Sequence, residues 1–486
     1  MLGICSYGGY IPWYRLKRKD ISEAMGWINP AVITQAKGEK AIANFDEDTI
    51  TMAVAAGIDC LEGIERYRIQ GVYFASTSPP YKERLNAGII SAALALNDPI
   101  RAADFGGALK AGTTALLSAL EGVESKRINP IIVSSSDCRL GKPGSIQEMI
   151  FGDAAVALLV GDQDVIAEFK GSYSTTYDFV DHYRGGFAKY DRQWEDRWVR
   201  DMGYETLIPE VVKGLLEKSQ LKISDFSKII YPCHYEAERK KLNKILNISP
   251  KMEQNNLLAE IGDVGTAHPL IMLVNALEEA KPGDKIMVVS FGNGCDALYF
   301  EITGNIENKR GKKGISEYLA QKKYLDKYGK YLIWREIMPG ELGLRSEVDQ
   351  WPRWSLNWRK RKAILGLWGS KCKTCGTVQY PPQNICVNPD CRGDSEMEDF
   401  LFSDKKGHIV SYTGDNLAAS YHPPAIYGSV EFNMGGRFMF DFTDCDLDML
   451  SVGMPVTMSF RRKYYDPKRD VVNYFWKARP MKRGER

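Results

Sequence analysis

Cys372-Lys-Thr-Cys-Gly376 and, after a short spacer, Cys386-Val-Asn-Pro-Asp-Cys391 are the stretch from which the rest of the chain can be read. Two close cysteine pairs in turn-forming contexts suit a tetrahedral zinc ion held by four thiolates, with spacers of roughly two to four residues closing each chelate. Four unligated thiols are the competing reading. Around this module the pattern changes. Leu356 to Leu367 reads as a helix before it. After it come short strand-like runs, Gly407 to Thr413, Ala425 to Phe432, Arg437 to Phe442 and Pro455 to Phe460, punctuated by Gly, Asp and Pro. That pattern predicts a small β-barrel.

Upstream, residues to about Asn305 alternate strand and helix signals. Gly71 to Ala75, Pro130 to Ser135, Ala154 to Val160 and Lys285 to Ser290 are short β-rich, mostly apolar runs. Such runs suit strands covered on both faces. Leu109 to Glu121, Tyr204 to Lys218 and Pro269 to Ala280 read as helices between them, which predicts a layered α/β core. Residues 306–345 are polar and charged, with a helical reading of Ile315 to Tyr328, and form an extension or a tether. A chain of 486 residues exceeds what one core usually supports, so the expected division is 1–305, 306–345 and 346–486.

Lys and Arg total 64 against 62 Asp and Glu, which removes any general case for nucleic-acid binding. The basic tracts Lys309-Arg-Gly-Lys-Lys313 and Arg359-Lys-Arg-Lys362 read as solvated faces. No stretch approaches the roughly 20 apolar residues that span a bilayer, so no membrane partner is expected. Met1 to Tyr10 lacks the basic start and long apolar run of a signal peptide. A cytoplasmic location with reduced thiols is therefore expected. The scattered Cys5, Cys60, Cys138, Cys233, Cys295 and Cys445 read as small buried hydrophobes.

The C-terminal region, Arg345 to Arg486, resembles the DUF35 family of acyl-CoA-associated zinc-ribbon and OB-fold proteins. The phrases Cys372-Lys-Thr-Cys-Gly376, Tyr380-Pro-Pro382, Gly407-His-Ile-Val-Ser-Tyr-Thr413, Asp444-Cys-Asp446 and Val452-Gly-Met-Pro-Val456 carry the likeness. The second cysteine pair departs from the family pattern, with a longer spacer between Cys386 and Cys391. The N-terminal region, Met1 to Asn305, resembles the thiolase superfamily, and within it the hydroxymethylglutaryl-CoA synthases and ketoacyl synthase III enzymes. Ala108-Leu-Lys-Ala-Gly-Thr113, Phe151-Gly-Asp-Ala-Ala-Val-Ala-Leu-Leu-Val-Gly161, Gly262-Asp-Val-Gly265 and Lys281 to Gly294 carry it. These resemblances imply a thiolase-like five-layer α/β/α/β/α domain followed by a zinc ribbon and an OB barrel. They further imply structural zinc on Cys372, Cys375, Cys386 and Cys391, and coenzyme A as part of the substrate. The expected assembly is a homodimer or a hetero-oligomer with a thiolase subunit.

The family keeps its nucleophilic cysteine second in the Ala-Cys-Lys-Ala-Gly-Thr turn, where this chain has Leu109. A leucine cannot attack a thioester. The synthase glutamate falls near Thr77, and the asparagine that helps hold the thioester oxygen falls at Asp263. His234, in Tyr231-Pro-Cys-His-Tyr235, falls where the family places a histidine that donates to the substrate carbonyl. A buried structural histidine is the alternative. Asp263 is a candidate general base or a turn-bonding residue. His268 either faces the same pocket or serves a surface loop. Cys233, Cys138 and Cys295 are nucleophiles on paper, though none opens a helix as Leu109 does. Two chemistries fit these residues. One is a cysteine-independent aldol or retro-aldol reaction on a β-hydroxyacyl-CoA, with Tyr81 or Tyr235 assisting. The other is a non-catalytic scaffold and CoA-binding role beside a thiol-bearing partner thiolase. The barrel's aromatics (Tyr412, Tyr421, Tyr427, Phe438, Phe440, Tyr464, Tyr465) and its Arg461-Arg-Lys463 run are what an oligonucleotide or a CoA adenine and its phosphates would want; core filling explains most of the aromatics more cheaply, and a scaffold and CoA channel is ranked ahead of nucleic acid.

Overall fold

The computed structural model describes residues 1–347, 354–391 and 396–481. The start of the expected third segment therefore adjoins residues outside the description, and 482–486 at its end lie outside it too. The chain forms two compact units: Met1–Ala43, Ala55–Gly88 and Pro99–Tyr331 make the first, and Asn44–Val54, Ile89–Asp98 and Leu332–Arg486 the second.

The first unit is built on nine strands: β1 Gly3–Tyr10, β2 Gly71–Ala75, β3 Arg101–Phe105, β4 Ile131–Asp137, β5 Ala154–Gly161, β6 Ala167–Thr176, β7 Lys228–Ile230, β8 Lys285–Phe291 and β9 Gly294–Ile302. Hydrogen bonding runs in the order β7-β8-β9-β6-β1-β5-β4-β2-β3. The order resolves into two mixed half-sheets. They join only where Gly3 and Ile4 of β1 meet Glu168 and Ala167 of β6. Helices α1 (Ala111–Glu124) and α2 (His268–Glu279) share one apolar core with residues from both half-sheets. Burial of nearly every side chain explains the composition of α2 and burial of one face that of α1, with Ala115, Ala119, Leu270, Met272 and Val274 at or near zero exposure. A second core lies against the other face of β8 and β9, under helix Ile208–Ser219.

Helix α1 starts two residues later than its apolar pattern suggests, which leaves Leu109 in the preceding turn. The Tyr204 to Lys218 helix opens as a wide π-helical stretch, Val199–Leu207, and becomes α-helical only near Pro209. The helical reading of Ile315 to Tyr328 is corrected. Helix Ile315–Ala320 stops, Lys323–Tyr324 pairs in parallel with Tyr14–Arg15, and a new helix spans Tyr328–Trp334. Edge pairing with a neighbouring strand outweighs local helix preference there.

In the second unit, β10 Trp368–Cys372, β11 Val378–Gln379 and β12 Met397–Leu401 form a three-stranded sheet in the order β11-β10-β12. Strands β13 Gly407–Asp415, β14 Ala425–Phe432, β15 Arg437–Asp441, β16 Pro455–Asp466 and β17 Val471–Pro480 pair in the order β15-β14-β13-β16-β17. A bridge between Phe442 and Ala478 brings the two edges together, giving the OB-type barrel. The sequence pattern did not reveal β17, whose Asn473, Lys477 and Arg479 interrupt its apolar run. Lys477 is nonetheless buried, because its ammonium pairs with Asp46 at 2.9 Å. Arg461, read from the sequence as part of a basic run suited to CoA phosphates, is instead buried and paired with Asp444 at 2.6 Å and with Glu47. Its neighbours Arg462 and Lys463 pair with Glu336 and Asp441. Among the described residues no helix is long and apolar enough to cross a membrane.

Candidate active site

A cavity of about 440 Å³ opens in the first unit, lined by Leu109 at the head of α1, His234 and Asp263. A neighbouring cavity of about 410 Å³ shares those three residues and adds Cys233. Leu109 is fixed by the β8–β9 turn. A Cβ on Gly292 would lie 2.8 Å from the Leu109 backbone nitrogen, so a glycine is needed for the approach. At the second residue of α1, a Cβ on Gly112 would lie 2.3 Å from the Thr266 carbonyl oxygen, so a glycine there lets the helix seat against the 265–267 turn. Two of the loops around this point converge on one carboxylate. Asp137, at the end of β4, accepts from the Ser78 hydroxyl at 2.7 Å, the Thr77 amide at 2.8 Å and the Thr266 amide at 2.8 Å. Thr77 is thereby committed to holding its loop, and it lines neither cavity.

Asp263 meets the Arg139 guanidinium at 2.8 Å and accepts the Gly265 amide at 3.0 Å. Burial opposes ionisation, but Arg139, His268 and His234 together outweigh it and hold this carboxyl well below the usual carboxylate range. An anion so stabilised is a weak base. Arg139 is itself buried, stacks over Phe151 at 4.0 Å, and lies 3.9 Å from Asp191.

His234 follows β7 and precedes helix Glu236–Ile245. Its ring rests on Tyr235 at 4.0 Å between centroids and meets Tyr204 edge-on at 6.2 Å. Burial lowers its pKa despite the nearby Asp263, so the neutral imidazole is favoured. His268 is placed differently. Its Nδ1 accepts the Val264 amide at 3.1 Å and its Nε2 donates to the Asn256 carbonyl at 2.8 Å. Both nitrogens are spent on backbone, and His268 lines neither cavity. Cys138, Cys295, Tyr81 and Tyr235 also line neither. Cys233 reaches the second cavity, but burial pushes its thiol up to about 12, and it donates to the Tyr235 carbonyl at 3.4 Å.

Sequence reasoning missed the loop-holding Asp137 and three residues of the first cavity's lining, Arg139, Asp181 and His182. His182 Nδ1 lies 2.8 Å from Asp181 Oδ2. The one available signal was the adjacency in Val180-Asp-His-Tyr183, which without the fold cannot be placed at a cavity.

In the second unit, the Sγ atoms of Cys372, Cys375, Cys386 and Cys391 all lie within 4.8 Å of one another. Cys372 ends β10, and Gly376, at φ +76°, closes the first turn. A Zn–S bond of about 2.3 Å places tetrahedral sulfurs about 3.8 Å apart. The Cys372–Cys391 and Cys375–Cys386 separations of 3.8 and 3.5 Å fit that spacing.

The hydroxymethylglutaryl-CoA synthase of Caldivirga maquilingensis is 31% identical over 347 residues, covering 69% of this chain and 98% of that protein. The chain belongs to the hydroxymethylglutaryl-CoA synthase family. The crystal structure of an HMG-CoA synthase complexed with CoA superposes with a TM-score of 0.60 at 17% identity, covering 71% of this chain and 92% of that one. PksG, an HMG-CoA synthase from Bacillus subtilis, gives 0.61 at 16% identity, covering 72% and 95%. At these identities the likeness carries the thiolase-like fold. The family's domain is followed here by two further modules. Residues 359–398 match the ChsH2 rubredoxin-like zinc ribbon domain, and residues 402–461 the ChsH2 C-terminal OB-fold domain.

Proposed function

We propose that this synthase-family chain makes or breaks a carbon–carbon bond in an acyl-CoA without forming an acyl-enzyme, as an aldolase or retro-aldolase on a β-hydroxyacyl-CoA. One observation carries the reading: the residue at the head of α1, in the wall of the cavity that His234 lines, is Leu109. The one cysteine lining these cavities, Cys233, holds its proton far above neutral pH. Thioester capture on sulfur needs a thiolate in that position. Aldol chemistry needs only a base and a donor for the developing oxyanion.

In this reading His234 is the donor. As a neutral imidazole it presents an N–H to the thioester oxygen and stabilises the enolate that forms when the bond between the α and β carbons breaks. Asp263 fixes Arg139 and the 263–266 loop, and its electrostatic role replaces that of a base. The chemistry belongs to residues 1–305, with 306–345 as extension and 346–486 as a docking module. Cys372, Cys375, Cys386 and Cys391 hold a structural zinc ion that stabilises the ribbon.

The full chain, purified alone, is assayed against a panel of β-hydroxyacyl-CoA thioesters. Turnover that falls in His234→Ala supports the reading. Turnover that requires an added thiol-bearing thiolase overturns it in favour of a scaffold subunit.

A further inference from the structure

We propose that His182, oriented by Asp181, is the general base of this cavity; the proposal rests on the carbon–carbon bond reading above. Asp181 Oδ2 lies 2.8 Å from His182 Nδ1. A carboxylate accepts only, so Nδ1 carries the proton and Nε2 keeps its lone pair. Carboxylate, imidazole and a reacting proton in series is the arrangement by which a histidine is held in the base tautomer. The pair is rigidly mounted. His182 opposes Gln193 in a short antiparallel hairpin, and the Trp194 amide donates to the Asp181 carbonyl at 3.2 Å. Asp181 is 5% exposed, and its second carboxylate oxygen has no hydrogen-bond partner among the described residues. Both side chains line the cavity that Leu109 and His234 line.

The other candidates are committed elsewhere. Asp263 is paired with Arg139. His268 spends both nitrogens on backbone. Asp191 meets Arg184 at 2.6 Å. His234 has no carboxylate hydrogen-bonded to its ring among the described residues, which suits a donor better than a base.

In the cleavage direction Nε2 of His182 takes the proton of the β-hydroxyl. The oxygen's electron pair forms the carbonyl of the departing ketone or aldehyde as the bond between the α and β carbons breaks. The bonding pair moves onto the α carbon as the thioester enolate, held by the His234 N–H. The imidazolium then returns its proton to the α carbon, releasing a shortened acyl-CoA and a neutral base.

Microscopic reversibility supplies a test that needs no knowledge of the leaving carbonyl. The full chain is incubated with acetyl-CoA or propionyl-CoA in D2O, and deuterium entering the α carbon is followed by NMR. Wild type exchanges, and His182→Ala slows exchange by about 100-fold or more. Added imidazole restores part of the loss. Asp181→Asn loses about tenfold while CoA binding by calorimetry is unchanged, as a positioning residue should. If His182→Ala fails to fold, His182→Asn, whose amide nitrogen takes the place of Nδ1 and still donates to Asp181, carries the same expected loss. Wild-type exchange that survives in the His182 variants, or a loss that imidazole does not relieve, overturns the base assignment alone. A wild type that binds CoA but exchanges neither thioester overturns the underlying carbon–carbon bond reading, and the base with it.

Discussion

Replacing Arg139 with methionine removes the cation on which the Asp263 loop depends. The guanidinium lies 2.8 Å from Asp263, and the two side chains are 2% and 15% exposed. Breaking a buried pair by deleting one partner costs about 3–5 kcal/mol, because the remaining charge is stranded. Loss of the stack over Phe151 adds up to about 2 kcal/mol. Asp191 softens the loss, since it keeps Arg184 at 2.6 Å. The pH dependence follows from the sign of the shift. In wild type the folded Asp263 pKa is depressed, so its contribution is present above the unfolded value and is lost as pH falls through the folded one. In Arg139→Met burial is opposed only by His268 and His234, so the carboxyl's pKa rises from its wild-type position. The destabilisation is therefore largest near pH 7 and shrinks as pH falls below about 4. Urea titration, with pulsed hydrogen exchange assigning each transition to its unit, reads this out. The double variant Arg139→Met/Asp263→Asn should cost less than the sum of the single changes. A penalty independent of pH, or strict additivity, would show that Asp263 does not depend on Arg139.

Three further outcomes are expected. Cys372→Ser lowers zinc content measured by elemental analysis and unfolds the ribbon sheet; unchanged stoichiometry would count against the four-sulfur site. Arg461→Leu strands Asp444 and Glu47 and destabilises the second unit by about 3–5 kcal/mol, read from its own urea transition; a change under about 1 kcal/mol would show the cluster contributes little. Iodoacetamide near neutral pH leaves α-carbon exchange intact, because burial pushes the Cys233 thiol up to about 12; rapid inactivation with an adduct on Cys233 would contradict this.

The elements with a single strong period were legible in the sequence. Ala154–Gly161 and Lys285–Phe291 are strands buried almost throughout, and continuous apolar runs announce such strands. The four cysteines were legible because chelate spacing is local chemistry. The strand Val471–Pro480 was not, since a buried Lys477 is tolerated only by a partner in a distant segment, Asp46. His234 and Asp263 were placed by motif order, and the fold brings them to one cavity. The roles of His268 and Asp263 depend on the Val264 amide, the Asn256 carbonyl and Arg139, none of which any spacing rule assigns. The Asp181–His182 pair lies in a short hairpin between elements, where no periodicity operates and only the folded geometry gives it meaning.

The most direct test is the intact mass of the protein after incubation with acetyl-CoA and with longer acyl-CoA thioesters, quenched in acid to preserve thioesters. The unmodified mass is expected throughout, in samples that still exchange α-carbon hydrogen, with an acyl adduct only when a thiol is introduced as Leu109→Cys. An acyl group recovered on any cysteine of the wild-type chain at rates matching turnover would contradict it.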